Sequence, residues 1–206
     1  MMGRNLAKFL MLCAAIAVTA AVSVTLENDT AYSAAALDRA RLASTDARPT
    51  KTVSEFRRLC SGFDADAAIA ACTQLIQSGK ESAKSLFVEY YNRGSAWFRK
   101  SDFDRAIGDY SEAAGLNPAD PDSFVSIGRA FDAKNDDDLA IQSYTRAIAL
   151  DPANATAFRN RGDAYFRKND TNRAVRDYNQ AIKLNPNDEL AQSGLVSAQL
   201  KLLPYP

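Results

Sequence analysis

The chain has 206 residues, 47% apolar and 24% charged, with only 9 glycines and 7 prolines beside abundant alanine, a globular balance that favours helix over sheet. Lys+Arg and Asp+Glu number 25 each, and dropping residues 1–34 (Arg4, Lys8; Glu27, Asp29) leaves 23 of each, so the broad positive field of a nucleic-acid binder is missing. With no histidine, a Ser-His-Asp triad, a Cys-His dyad and an HExxH zinc site are excluded; 3 cysteines without a CxxC pair argue against a zinc ribbon, and no metal or cofactor is expected.

Residues 1–34 read as a leader. Arg4 and Lys8 form a basic start, an apolar run follows over residues 9–26, and small residues gather at Ala31-Tyr32-Ser33-Ala34-Ala35-Ala36. That order is a secretory signal, with cleavage after Ser33 or Ala35 the best fit. The alternative is an uncleaved inner-membrane anchor: the run would reach roughly 27 Å as a helix, close to a bilayer's hydrocarbon core. A lipoprotein reading at Cys13 is poor, because Leu12 is bulky and little of the apolar run precedes it. Residues 35–52 mix small, charged and polar side chains and read as a flexible linker, with a short helix over residues 37–42 as the alternative.

From residue 87 the chain repeats every 34 residues: Gly94, Gly128 and Gly162; Ala106, Ala140 and Ala174; Tyr110, Tyr144 and Tyr178; Ala113, Ala147 and Ala181; Pro118, Pro152 and Pro186. Aromatics keep the same step at Tyr90, Phe124 and Phe158, and at Trp97, Phe131 and Tyr165. Within each copy the columns fall at helical spacing on two successive segments. Small Gly94 and Ala106 let the two helices approach, with Trp97 and Tyr110 filling the space beside them. Ser101-Asp102, Asn135-Asp136 and Asn169-Asp170 make the turn, the aspartate capping the second helix. Asn117-Pro118, Asp151-Pro152 and Asn185-Pro186 end it, since the residue before proline is pushed out of the α region.

These columns resemble the tetratricopeptide repeat signature W-x2-L-G-x2-Y…A-x3-F…P, seen here as Tyr90-x2-Arg93-Gly94-x2-Trp97…Ala106-x3-Tyr110…Pro118 and twice more. The resemblance covers 87–120, 121–154 and 155–188. It implies an all-α, right-handed solenoid of antiparallel helix pairs with a concave groove. Residues 189–206 are then a capping helix and tail, with Gln192 and Gln199 on the packing face suiting a solvated end. Residues 53–86 are a degenerate helix pair. A shift of 34 places Phe56, Phe63 and Ile76 at aromatic columns and Cys60 and Cys72 at the small ones, while Gly62 shortens the first helix and Lys84 stands where proline is expected.

The columns carry two expectations about pairing. Export to an oxidising compartment leaves two cysteines at columns where helices touch, so Cys60 and Cys72 are expected to form a disulfide. Arg93 with Asp109 and Arg161 with Asp177 recur in copies one and three, while copy two has Ile127 with Ser143, so each arginine is expected to reach its aspartate. As an exposed pair it would contribute only about 0.2–1 kcal/mol.

The expected function is protein–protein interaction rather than catalysis. A scaffold or adaptor of the bacterial cell envelope, periplasmic or secreted, would take a protein or peptide in its groove; no nucleic acid or small-molecule substrate is expected. The groove candidates are Tyr91, Asn92, Ser95, Phe98 and Arg99 from copy one, Arg129 and Asp132 from copy two, and Arg159, Asn160, Asp163, Phe166 and Arg167 from copy three. Aromatic and arginine side chains are frequent interface anchors. The alternative function is a membrane-tethered assembly factor for a pilus, secretion or outer-membrane complex, which requires the leader to stay attached. Some cytosolic relatives hold a C-terminal carboxylate with a lysine/asparagine/arginine set. Here Tyr91, Ser95, Ser126, Thr156 and Asn160 stand in those places, so chaperone-tail binding is not expected.

Overall fold

The computed structural model describes residues 51–203. The expected leader, the linker up to residue 50 and the tail from 204 lie outside the described residues. Nine helices succeed one another there: α1 Val53–Cys60, α2 Ala65–Gln77, α3 Ala83–Arg99, α4 Phe103–Leu116, α5 Pro121–Ala133, α6 Asp137–Leu150, α7 Ala155–Arg167, α8 Thr171–Leu184 and α9 Glu189–Leu202. Short connections fold them into stacked hairpins, each helix packing on the next. First helices also touch across hairpins, α1 with α3, α5 with α7 and α7 with α9, and so line one side of the solenoid.

Every described helix has a local reason to start. Thr52, Asp64, Ser82, Asp102, Asp120, Asp136, Asn154, Asp170 and Asp188 each accept a backbone N–H from three residues on. Such caps contribute about 0.5–2 kcal/mol each. The turn before α4, α6 and α8 runs through a left-handed residue, Ser101 (φ 60°), Asn135 (φ 61°) and Asn169 (φ 62°). Asparagine tolerates that conformation better than most side chains.

The core is a stack of tyrosines on glycines. Tyr110, Tyr144 and Tyr178 are buried, and a Cβ added at Gly94, Gly128 or Gly162 would lie 3.0, 2.5 or 3.0 Å from the facing ring. The glycine column thus makes room for the tyrosine itself, rather than only for the neighbouring helix. The alanine columns beside it are fully buried.

Arg93 and Arg161 meet their aspartates as expected, through paired hydrogen bonds of 2.7 and 2.8 Å to Asp109 and of 2.7 and 2.9 Å to Asp177. The environment differs from the exposed one anticipated: Asp109 and Asp177 are buried. Each arginine also donates Nη1 to a threonine of the preceding hairpin, Thr73 or Thr145, at 3.1 Å.

Two sequence expectations need correction. The first hairpin is out of register with a shift of 34. Asp64 caps α2 as Asp102 caps α4, a separation of 38. Counted from the caps, Ala68 occupies the small column of Ala106, Cys72 the column of Tyr110, and Thr73 matches Thr145. Cys60 is the last residue of α1, as Arg99 is of α3. The cause is α3, with 17 residues where α5 and α7 have 13, an added N-terminal turn. A row of ion pairs obeys the corrected register: Lys100 with Asp66, Lys134 with Asp104 and Lys168 with Asp138. Gly62 comes after α1, in the turn, rather than lying within it.

The second correction concerns α9. Gln192 and Gln199 are exposed and do not face the array; the buried stripe is Ala191 and Ala198. Gly194 lies close enough to Tyr178 that a Cβ would come within 2.7 Å of its ring. The outer side is partly apolar, with Leu190, Val196, Leu200 and Leu203 exposed.

Candidate interaction surface

The first helices α3, α5 and α7 enclose an open cleft of about 460 Å³ lined by Phe98, Val125, Arg129, Asp132, Thr156, Arg159 and Asn160. Helical spacing puts them there: Val125, Arg129 and Asp132 recur on one face of α5, and Thr156, Arg159 and Asn160 on one face of α7. Arg129 is exposed, stacks over the Phe98 ring at 5.3 Å, and forms no ion pair among the described residues. It is the cation most available to a visiting group. Arg159 is already held, donating to Asp188 at 2.9 Å and Asn160 at 3.3 Å. Because Asp188 caps α9, Arg159 also ties the cleft to the end of the array.

Acidic groups along this face are engaged by tyrosines. Tyr144 donates to Asp132 at 2.6 Å and Tyr178 to Asp163 at 2.7 Å. Burial raises both carboxyls above the usual aspartate range, while the tyrosine hydrogen bonds and nearby arginines oppose the rise. Arg167 bridges Asp132 at 2.5 Å and Asp137 at 2.7 Å.

Five of the twelve groove candidates share the cleft: Phe98, Arg129, Asp132, Arg159 and Asn160. The others sit elsewhere or are already occupied. Tyr91 bonds Ser126 at 3.0 Å, Ser95 accepts from Tyr110 at 3.1 Å, and Arg99 donates to the Gly62 carbonyl at 3.1 Å. Lys201 lies 4.8 Å over the Phe166 ring, and Asp163 and Arg167 belong to the networks above. Asn92 lines a separate cleft of about 410 Å³, with Arg57, Cys60, Lys84 and Glu89.

Glu89 was not anticipated from the sequence. It is 3% exposed, and its Oε2 has no hydrogen-bond partner among the described residues. Burial, then the charge of Glu81, push its carboxyl up to about 7 against the pull of Arg57. The column could have revealed it: one repeat further on stand Ser123, Ala157 and Ala191, all fully buried and small. Cys60, on the wall of the same cleft, has its Cα 4.9 Å from that of Cys72, with the sulfurs at bonding distance.

Stacked helical hairpins with an open cleft across successive first helices define a repeat-type binding scaffold. Residues 128–169 match the family model described as TPR repeat, and 155–188 that described as Tetratricopeptide repeat. Residues 128–188 therefore carry tetratricopeptide repeats. No curated protein matches it. Among solved structures, MamA is similar at TM-score 0.64 and 18% identity, over 72% of this chain and 81% of that one. The first TPR of Spaghetti (RPAP3) bound to the HSP90 peptide SRMEEVD is similar at 0.56 and 23%, over 57% and 94% of the two chains. The second TPR domain of human RPAP3 in complex with the HSP70 peptide SGPTIEEVD is similar at 0.55 and 23%, over 57% and 98%. At these identities the likeness concerns the fold.

Proposed function

We propose that this chain is an interaction scaffold of the bacterial cell envelope that binds a protein or peptide segment along the face formed by α3, α5 and α7. The cleft beside Arg129 carries the reading: it is open, crosses three repeats, and combines an aromatic wall with a cation that forms no ion pair among the described residues. The peptide complexes of similarly folded domains support the choice of a peptide over a small substrate. The partner differs in chemistry from a chaperone tail, because Tyr91 with Ser126 and Ser95 with Tyr110 engage one another where a carboxylate-binding set would stand. A photo-crosslinker at Thr156, on the cleft wall, tests this. A single cross-linked protein, lost when Arg129→Ala is introduced but kept with Lys134→Ala, supports it; equal loss with both redirects it to another surface.

Export rests on the leader at residues 1–34, and a Cys60–Cys72 disulfide is part of the same proposal. The bond would stabilise the outermost hairpin by about 2–3 kcal/mol in the chain-entropy model. Thiol titration of the unfolded, unreduced mature protein checks it, with no free thiol expected and two overturning it. Mass measurement of the mature N-terminus separates a soluble periplasmic or secreted scaffold, starting near residue 34, from an anchored protein that keeps Met1.

A further inference from the structure

We propose that the cleft at Glu89 is a second binding site, which takes a lysine-type ammonium carried on an aliphatic stem. The site goes beyond the concave-face reading and stands or falls separately from it.

The repeat pattern makes Glu89 the exception. Where α5, α7 and α9 bury Ser123, Ala157 and Ala191 in this column, α3 buries a carboxyl. Departures from a local rule concentrate at functional or strained sites. The surroundings do not satisfy this group. Arg57 reaches only Oε1, at 3.9 Å, and its Nη2 is held by Glu81 at 2.5 Å. Oε2 has no partner among the described residues, and a buried polar atom without one is rare.

Glu89 lines the cleft, and Oε2 itself shows less than 1 Å² of surface, so a ligand donor reaches it by parting the side chains over it. Val88 and the Cys60 wall supply apolar surface, Asn92 a polar edge, and the exposed Lys84 and Arg57 stand at its rim. The ionisable groups facing Glu89 are Arg57 from α1, Glu81 from the α2–α3 connection and Lys84 from α3 itself; Cys60 does not titrate when bonded to Cys72. An anion would meet the Glu89 carboxylate. A wholly apolar ligand would leave Oε2 unpaired. An ammonium donates to Oε2, favours its ionised form and lays its methylene stem on the apolar wall. One free oxygen suits a point donor better than the planar fork of a guanidinium, which matches two oxygens. Binding must therefore shift Glu89 toward its ionised form and release a proton wherever the free carboxyl still holds one.

The test uses the full-length chain with Nα-acetyl-lysine methylamide and its norleucine counterpart, which lacks the ammonium. The Glu89 carboxyl carbon, followed by NMR, is expected to titrate near 7 in the free protein. The lysine probe should lower that midpoint by about one unit or more, and should bind roughly tenfold more weakly as pH falls from about 8 to about 6. The norleucine probe should do neither. Glu89→Gln should abolish the preference for lysine. Glu89→Ser, which restores the residue found at Ser123, should raise Tm while losing the lysine probe, a combination that a merely structural carboxyl would not give. Equal binding of the two probes, or a Glu89 midpoint unmoved by the lysine probe, overturns the proposal. Loss of the cross-link at the α3–α5–α7 face with lysine binding intact would count against the first site alone.

Discussion

Arg93 holds Asp109 through two parallel hydrogen bonds, Nε to Oδ2 at 2.7 Å and Nη2 to Oδ1 at 2.8 Å, and its third nitrogen reaches Thr73 of the preceding hairpin. One guanidinium thus joins both helices of its own hairpin to the one before. Arg161, Asp177 and Thr145 repeat the arrangement. Arg93→Ala should destabilise the fold by about 2–4 kcal/mol, because Asp109 would remain buried without its partner. The double change Arg93→Ile with Asp109→Ser, which copies Ile127 and Ser143 of the middle repeat, should cost less than Arg93→Ala. Urea unfolding of the two variants checks this; a double change as damaging as the single one would refute it.

The tyrosine-on-glycine stack makes a sharper prediction. Gly128→Ala would bring a Cβ to 2.5 Å from Tyr144, whose ring is fully enclosed, and should cost about 1–3 kcal/mol. Gly108→Ala, on α4 with nothing within 4 Å, should gain about 0.5–1 kcal/mol from helix propensity. Thermal melts of the two variants should move in opposite directions.

Arg129 and Arg159 line one cleft but should behave differently. Arg129→Ala should weaken partner binding with little change in melting temperature, since its contact is the Phe98 ring. Arg159→Ala should weaken binding and also lower stability by about 1–3 kcal/mol, because Asp188, 7% exposed, loses its cation. Affinity and melting temperature measured together separate the two roles.

Glu89 gives a pH dependence with a definite sign. Its folded pKa, about 7, lies above the ordinary value of 4.5, so the folded state keeps a proton that the unfolded chain has released. Stability relative to Glu89→Gln should therefore be greatest below about 4.5, fall as pH rises through about 7, and level off beyond. The whole fall amounts to about 3 kcal/mol. Parallel denaturation curves at several pH values would show it, and a constant difference would exclude it.

The sequence made the regular part of this molecule legible because glycine, alanine and tyrosine each answer one packing demand that recurs at a fixed step. The close approach at Gly128 and Ala140 could be read before any coordinates, and so could the pairing of Arg93 with Asp109; that Tyr144 packs on Gly128 itself, rather than beside that approach, could not. The register of the first hairpin was hidden because α3 carries an added turn, which broke the step without altering the residue types around it. The outer side of α9 was misjudged because Ala191 and Ala198, not the larger residues, mark its buried stripe. In the cleft, Arg129 and Phe98 came directly from helical spacing. The bond of Tyr178 to Asp163 lies within one hairpin but joins columns outside the repeated signature, and the hold of Asp188 on Arg159 depends on a contact with the cap of α9 that no single repeat displays.

The added turn of α3 has a meaning for how such a chain can change length. Four residues advance an α-helix by about 6 Å but rotate it only about 40° beyond a full circle. In α3 the addition sits at the N-terminal end, so Gly94 still faces Tyr110, and even within a helix a four-residue change leaves the flanking residues at nearly the same azimuth. An insertion of two residues would instead rotate the C-terminal part of the helix by about 200° and turn its glycine side toward water. First helices in this architecture should thus lengthen or shorten in quanta of roughly one turn. Removing residues 83–86 at the start of α3 should leave Gly94 packed on Tyr110, whereas inserting two residues between Glu89 and Gly94 should turn one of the two out of its buried place.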